Sequence, residues 1–375
     1  MKKVILIPDS FKGSLSSKEV INIMEQSILK NFPKCDIIKI PIADGGEGTV
    51  DFFLSVLDGE KISVLVQDPY GKIIPSFYGK LDNDIAIVEL AACAGLSFVK
   101  NNPNPAITST FGVGQLILHA IQSGAKKIYI TLGGSATNDA GCGLVCALGV
   151  RFFDQFQHSF VPTGATLHLI QSINIDNVFP EIKNVSFITL CDVKNTFYGI
   201  NGASNIFAKQ KGADLKMINL LDQNMERYSN LLKKIFQFDT DFEGAGAAGG
   251  ATVATKLFLQ SDIQNGIDTF LELIHFEKSL EECDVVLTGE GKLDFQSFNG
   301  KVLSGILKYT YEKRIPLISL VGEIDEVSMK DYPLGLTTVF QINPDIITLE
   351  DAILQTPIHL KNTMDKICKS YLKNL

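Results

Sequence analysis

The sequence predicts an α/β protein of two α/β domains, in which both ends of the chain build one parallel sheet and the middle of the chain is inserted between them. Three observations carry this. At the N-terminus and again in the last quarter, short apolar runs are followed by turns rich in glycine, hydroxyls and carboxylates and then by helical patterns, the rhythm of parallel strands with crossover helices. Between them, residues 61–96 switch to short alternating segments separated by Asp68-Pro69-Tyr70-Gly71 and Asp82-Asn83-Asp84, which is antiparallel hairpin grammar and gives the second domain a mixed sheet. The 375 residues are also enough for two cores of about 150 to 200 residues each. The boundaries drawn from this pattern are 1–62 plus 280–375 for the discontinuous domain and 63–279 for the inserted one.

Taking the elements in order, residues 3–8 form a first strand, followed by Asp9-Ser10-Phe11-Lys12-Gly13-Ser14 and by a Ser16-x-x-Glu19 capping box that opens a helix with Val20, Ile23, Met24 and Ile28 along one side. The loop brings an acid, hydroxyls and a lysine to the carboxyl end of the strand, where open α/β sheets bind ligands. A turn with a helix cap explains Ser14 and Ser16 well and Lys12 less well. A second strand, 36–42, runs into Ala43-Asp44-Gly45-Gly46-Glu47-Gly48. Two carboxylates on a glycine loop suit a magnesium ion or a proton acceptor; a solvated turn is the alternative. After the alternating segments 61–66, 74–78 and 85–90, Thr108-Ser109-Thr110 leads into a helix over 115–123, its hydroxyls either capping that helix or touching a ligand.

The centre of the chain is a strand at 128–130, the turn Gly133-Gly134-Ser135-Ala136-Thr137-Asn138-Asp139, and a small-residue helix from about Ala140. Adjacent glycines permit positive φ and bring backbone N–H groups close to a ligand, and the helix N-terminus adds about half a positive charge, so the turn suits phosphate; a simple helix cap is the alternative. A buried-type strand at 185–190 leads to Asp192, which faces the ligand-binding edge if the sheet is parallel. Lys211, in a Gln-Lys-Gly turn, is either a solvated surface charge or a phosphate ligand.

Gly244-Ala245-Gly246-Ala247-Ala248-Gly249 matches the dinucleotide fingerprint, but residues 238–243 are too acidic to be the buried strand that must precede it, so it is read as close helix packing or a ligand-approach turn. No Walker sequence is present. In the last quarter, a strand at 283–287 opens onto Thr288-Gly289-Glu290-Gly291-Lys292-Leu293-Asp294, followed by a helix over 302–313 and strands at 316–321 and 337–342.

Composition narrows the function. With 34 Lys and Arg against 42 Asp and Glu, a net charge of -8 and no basic block, the chain is expected to bind a small molecule rather than nucleic acid or a membrane surface. The first apolar run stops at Pro8-Asp9, too short for a secretory core, and no stretch approaches the ~20 apolar residues of a membrane span, so a cytoplasmic location is expected. The seven scattered cysteines read as reduced core thiols. Histidines 119, 158, 168, 275 and 359 avoid every one of these turns, which argues against a His base. Acids, hydroxyls, glycines and a few lysines on strand-end turns fit phosphoryl transfer, where positioning and charge neutralisation carry most of the catalysis. They fit hydride or acyl transfer poorly.

The blocks 8–16, 43–49, 133–139, Gln210-Lys211-Gly212-Ala213, 244–250 and Thr288-Gly289-Glu290-Gly291 together, in order and over nearly the whole chain, resemble the type I glycerate kinases. The resemblance implies ATP-dependent, magnesium-assisted phosphorylation of glycerate to phosphoglycerate, in a cleft between a Rossmann/flavodoxin-like domain and a second α/β domain. One departure is Asn101-Asn102-Pro103, where relatives tend to carry a basic-acidic pair before the proline; the three arginines, 151, 227 and 314, lie in no motif. Carboxylate binding then falls to Lys12, Lys211 or Lys292 and to backbone N–H groups.

The roles expected from the residues and the resemblance together are these. Gly133, Gly134, Ser135 and Asn138 cradle phosphates. Asp192 or Asp44 accepts or orients the hydroxyl proton. Asp44, Glu47 and Asp139 compete for magnesium, and Lys12 and Lys211 offset charge on the transferring group. Asp9, Ser10, Gly45, Gly46, Thr108, Ser109, Glu290, Lys292 and Asp294 complete the substrate and nucleotide site. A kinase for another small hydroxy acid, a non-catalytic phosphate sensor and a homodimeric assembly stay open.

Overall fold

The structure, a computed structural model, describes residues 1–42, 48–294, 297, 302–325, 335–344 and 347–374, so that Asp44, Gly45, Gly46 and Glu47 lie outside the described residues. The chain divides into a terminal unit, residues 1–44 with 267–375, and an inserted unit, 45–266. Both divisions fall earlier in the chain than the 62/63 and 279/280 boundaries read from the sequence.

The terminal unit begins with β1 (Lys3–Leu6), α1 (Ser17–Asn31) and β2 (Asp36–Lys39). The capping box is present: Ser16 Oγ accepts the Glu19 N–H at 3.3 Å, and Ser16 N–H donates to Glu19 Oε2 at 2.7 Å. Val20, Ile21, Met24 and Ile28 are the buried hydrophobic residues of α1, which join Val4 and Leu6 of β1 in the core of this unit.

The inserted unit opens with α2 (Thr49–Val56), then β3 (Gly59–Gln67), β4 (Ile73–Leu81) and β5 (Ile85–Glu89). Because α2 packs on these three strands, it belongs with them, which explains the early first boundary. There follow α3 (Ala91–Ala94), α4 (Phe111–Gln122), β6 (Lys127–Thr131) and α5 (Cys142–Ala147). The short strands β7 (Arg151–Phe153), β8 (Ser159–Phe160) and β9 (Ser172–Asn174) make a small antiparallel sheet. The unit closes with β10 (Ser186–Leu190), α6 (Ala203–Phe207), α7 (Leu215–Phe236), α8 (Ala247–Phe258) and β11 (Asp262–Gln264). Its main sheet has the order β11-β10-β6-β5-β4-β3, parallel from β11 to β5 and antiparallel from β5 to β3, the mixed sheet that the alternating segments announce.

The chain returns through α9 (Gly266–Leu273) and α10 (Phe276–Ser279) to β12 (Val285–Leu293). Ile267 and Leu271 of α9 lie against Gly305, which places this helix with the terminal unit. Then come α11 (Val302–Lys313), β13 (Leu317–Ile324), β14 (Leu336–Gln341) and α12 (Leu349–Ser370). The terminal sheet is wholly parallel, with the order β2-β1-β12-β13-β14. Counted within the unit this is 2-1-3-4-5, the flavodoxin-like order, whose switch point lies between β1 and β12.

One expectation is corrected here. The Thr288–Asp294 stretch, read as an open turn because glycine is rare in strands, continues β12 as far as Leu293, paired with β13 up to Ile324. Gly289 is a close-packing position: a Cβ there would lie 2.6 Å from the Leu320 carbonyl oxygen.

Candidate active site

β6 delivers the chain at Thr131 into the turn that precedes α5. Asp139 is its hub. The residue is 0% exposed, and its Oδ2 accepts the Thr110 N–H at 2.8 Å, the Thr110 hydroxyl at 2.8 Å and the Gly143 N–H at 3.2 Å, while Oδ1 accepts the Gly141 N–H at 3.1 Å. Burial pushes this carboxyl above its ordinary value, and the four donors pull the other way. A carboxylate whose oxygens already receive four donors is ill suited to a cation, so the expected magnesium role of Asp139 is replaced by a structural one. Thr110 relays the same network, its hydroxyl accepting the Leu144 N–H of α5 at 2.9 Å.

The turn is held on every side. Thr108 donates to the Ala136 carbonyl at 3.0 Å, and Ser109 Oγ accepts the Phe111 N–H at 3.2 Å, so these hydroxyls bracket the turn and the start of α4. Ala94 O accepts the Ala136 N–H and Gly134 O accepts the Leu96 N–H, each at 2.9 Å. On the opposite side lies the glycine-rich start of α8. Ala248, Gly249 and Gly250 all take left-handed dihedrals, Gly249 O accepts the Ala140 N–H at 3.0 Å, and a Cβ on Gly249 would sit 2.2 Å from the Thr137 carbonyl oxygen. Residues 237–241 form no strand, so the fingerprint match is a packing device, in agreement with the rejected NAD reading.

Lys211 is the unexpected element. It is 2% exposed, and its Nζ donates to Ser135 Oγ at 2.8 Å and to the Thr137 carbonyl at 2.7 Å. Burial lowers its ammonium to about 7, with the Asp139 charge acting in the opposite direction. It is neither a surface charge nor an open phosphate ligand, and a direct role in offsetting phosphoryl charge does not fit an ammonium bonded inward to the turn. Asn138 is buried too, its Nδ2 donating to Ser204 Oγ at 3.2 Å, and Ser135 is spoken for by Lys211. Of the residues expected to cradle phosphate, half-buried Gly133 and exposed Gly134 are the ones that present backbone to solvent. Pro103 of the departing Asn101-Asn102-Pro103 stretch packs against Gly212, next to Lys211.

Asp192 stands at the exit of β10, the strand beside β6, and it is exposed. Its Oδ1 accepts the Gly266 N–H at 2.7 Å, from the exit of β11. This fixes the carboxylate at the carboxyl edge of the parallel strands, with the solvent access that a proton acceptor needs.

In the terminal unit, the candidate residues gather at the switch point. Asp9 N–H donates to the Gly289 carbonyl at 2.8 Å, Asp9 Oδ1 accepts the Ser10 N–H at 2.6 Å, and Gly291 lies beside the Lys12 backbone. Ser297 donates to Glu290 Oε2 at 2.8 Å, and its N–H donates to Asp294 Oδ1 at 3.1 Å. Lys12 and Lys292 are exposed, Lys292 reaching Glu323 at 3.5 Å.

Two residues were missed by sequence reasoning: Ser297, which ties Glu290 to Asp294, and Glu89, the last residue of β5. Among the described residues no group of three or more His, Cys, Asp or Glu side chains could hold a metal ion.

A family model described as the glycerate kinase family matches residues 4–372. The chain belongs to the glycerate kinase family. It is 38% identical over 371 residues to a glycerate kinase of Bacillus subtilis (strain 168), covering 98% of this chain and 97% of that protein. It is 36% identical to a glycerate 2-kinase of Escherichia coli (strain K12), covering 98% of this chain and 96% of that one. A crystal structure described as glycerate kinase 2 from Salmonella typhimurium LT2 superposes with a TM-score of 0.85 at 35% identity, covering 100% of this chain and 99% of the other. The glycerate kinase family is a kinase family, so this chain is a phosphotransferase with an alcohol acceptor. Family membership agrees with the α/β architecture and with the phosphoryl-transfer inventory read from the turns.

Proposed function

We propose that this chain transfers the terminal phosphoryl group of ATP, supplied as its magnesium complex, to a hydroxyl of glycerate, giving phosphoglycerate and ADP. The observation that carries this reading is the turn after β6: its backbone is held by Asp139, Lys211, Thr108 and Gly249, leaving Gly133 and Gly134 at the surface. Rigid backbone donors of this kind stabilise charge on a phosphoryl group without reorganising during transfer.

Asp192 accepts the proton of the attacking glycerate hydroxyl, or orients it, from the β10 exit. Lys12 and Lys292 supply positive charge for the glycerate carboxylate, with Asp9, Ser10, Glu290 and Asp294 as neighbouring polar groups. Magnesium, bound with the nucleotide, would supply charge neutralisation on the phosphates; Glu47 and Asp44, the acids expected to hold it, lie outside the described residues. A cytoplasmic location is proposed with this activity; no helix among the described residues is long and apolar enough to cross a membrane.

The test is ADP release from ATP and magnesium with glycerate, tartronate, lactate or no acceptor. Turnover with glycerate well above the other three supports the reading. Faster turnover with tartronate or lactate points to a kinase for another hydroxy acid, and acceptor-independent binding without turnover points to a phosphate sensor.

A further inference from the structure

β5 ends on a buried acid that none of the motifs contains. Glu89 is 1% exposed, its Oε1 accepting the Gly48 N–H at 2.9 Å and its Oε2 the Val50 N–H at 3.2 Å. Gly48 is the N-cap of α2 and has no side chain to do this itself, so a carboxylate from a strand 39 to 41 residues further along the chain caps the helix. An ionised carboxylate is costly to bury without donors, and the first turn of a helix is a favourable place to find them.

The other side of Glu89 is equally constrained. It pairs in register with Thr131, the last residue of β6, and Leu90 N–H donates to the Thr131 carbonyl at 3.0 Å. The segment that follows then laces along the glycine turn, through the bonds from Leu96 N–H to Gly134 O and from Ala136 N–H to Ala94 O. One carboxylate therefore stands between the first turn of α2 and the strand end that leads into the turn of Gly133 and Gly134.

We propose that Glu89 is a positioning residue for phosphoryl transfer, fixing Gly48 and the first turn of α2 against the end of β5, beside the β6 exit that carries the glycine turn. It touches neither substrate nor nucleotide. The inference rests on the glycerate kinase reading and deepens it.

The experiment compares wild type, Glu89→Gln and Gly48→Ala by steady-state ADP release, thermal melting and hydrogen exchange at the Gly48 and Val50 amides. Glu89→Gln keeps nearly the same volume but turns an amide NH2 toward an N–H donor. Gly48→Ala disturbs the same cap from its other side, because Gly48 has φ +93° while a Cβ there meets nothing within 4 Å. Both variants are expected to speed exchange at these amides at least ~10-fold and to lower kcat at least ~10-fold, with KM for ATP within ~2-fold of wild type.

Faster exchange or a lower melting temperature with kcat unchanged overturns the proposal and leaves Glu89 a purely structural cap. Should Glu89→Gln fail to fold, Gly48→Ala decides alone on the same criteria. A wild type inactive on glycerate would instead sink the functional reading, and the inference with it.

Discussion

β6 and β10 are neighbours in one sheet, run the same way, and each is followed by an aspartate, yet the two aspartates have opposite surroundings. Asp139 is sealed beneath four donors, with a buried lysine alongside the same turn. Asp192 keeps an exposed carboxylate steadied by the Gly266 N–H. The difference teaches a division of labour: the β6 exit spends its side chains on holding backbone still, and the β10 exit keeps its acid in contact with solvent, where the proposed proton role places it.

The sharpest way to break that comparison is Asp192→Asn. Loss of a general base costs about 10² to 10⁴ in rate, so kcat is expected to fall about 10³-fold while the melting temperature stays where it was. A variant with near-normal turnover removes Asp192 from the chemistry. Next in size is Asp139→Ala, which strands the Thr110 N–H and hydroxyl and the Gly141 and Gly143 N–H groups. Each unsatisfied buried donor costs roughly 1–3 kcal/mol, so a loss of about 3 kcal/mol or more is expected in a denaturant titration. Stability within error of wild type would mean that Asp139 is no hub.

Lys211→Met sharpens the comparison through pH. The buried ammonium titrates at about 7 against an ordinary 10.5, so between those values the unfolded chain holds a proton that the folded one has released. Folded-state stability at this site is therefore lowest below about pH 7 and rises as pH climbs toward 10.5. Wild type should gain on Lys211→Met over that window in melts taken at successive pH values; parallel curves would refute the buried, depressed lysine. Smallest is Lys292→Ala. Lys292 is half exposed beside Glu323 at 3.5 Å, and such a pair contributes about 0–1 kcal/mol, so stability should hardly move while KM for glycerate rises several-fold. An unchanged KM would take Lys292 out of the carboxylate site.

Much of this was legible from local pattern. The Ser16–Glu19 capping box, the antiparallel segments, the helix at 302–313 and the parallel ends of the chain all follow from periodicity and cap chemistry, which act over a few residues. The glycine turn was located by the same means, and the dinucleotide match was rightly set aside because no strand precedes it. The roles within the turn were not legible. Asp139 takes donors from Thr110, 29 residues upstream, Lys211 reaches back to Ser135 over 76, and Glu89 caps a helix 39 residues before it. No window of sequence contains both partners, so Asp139 and Lys211 looked like solvent-facing or ligand-facing polar groups and Glu89 drew no reading at all. Glu290 and Lys292 were misplaced for another reason: glycine reads as a loop, whereas Gly289 is needed where the Leu320 carbonyl crowds the sheet.

The left-handed run at Ala248–Gly250, wedged against Thr137, makes the glycine turn intolerant of sequence drift, since a single added methyl at Gly249 collides with main chain. On the proposed function, a lineage adapting to a different acid would diversify at exposed Lys12 or Lys292 and leave this seam untouched. Under that reading, a library for new acceptors belongs at those two lysines.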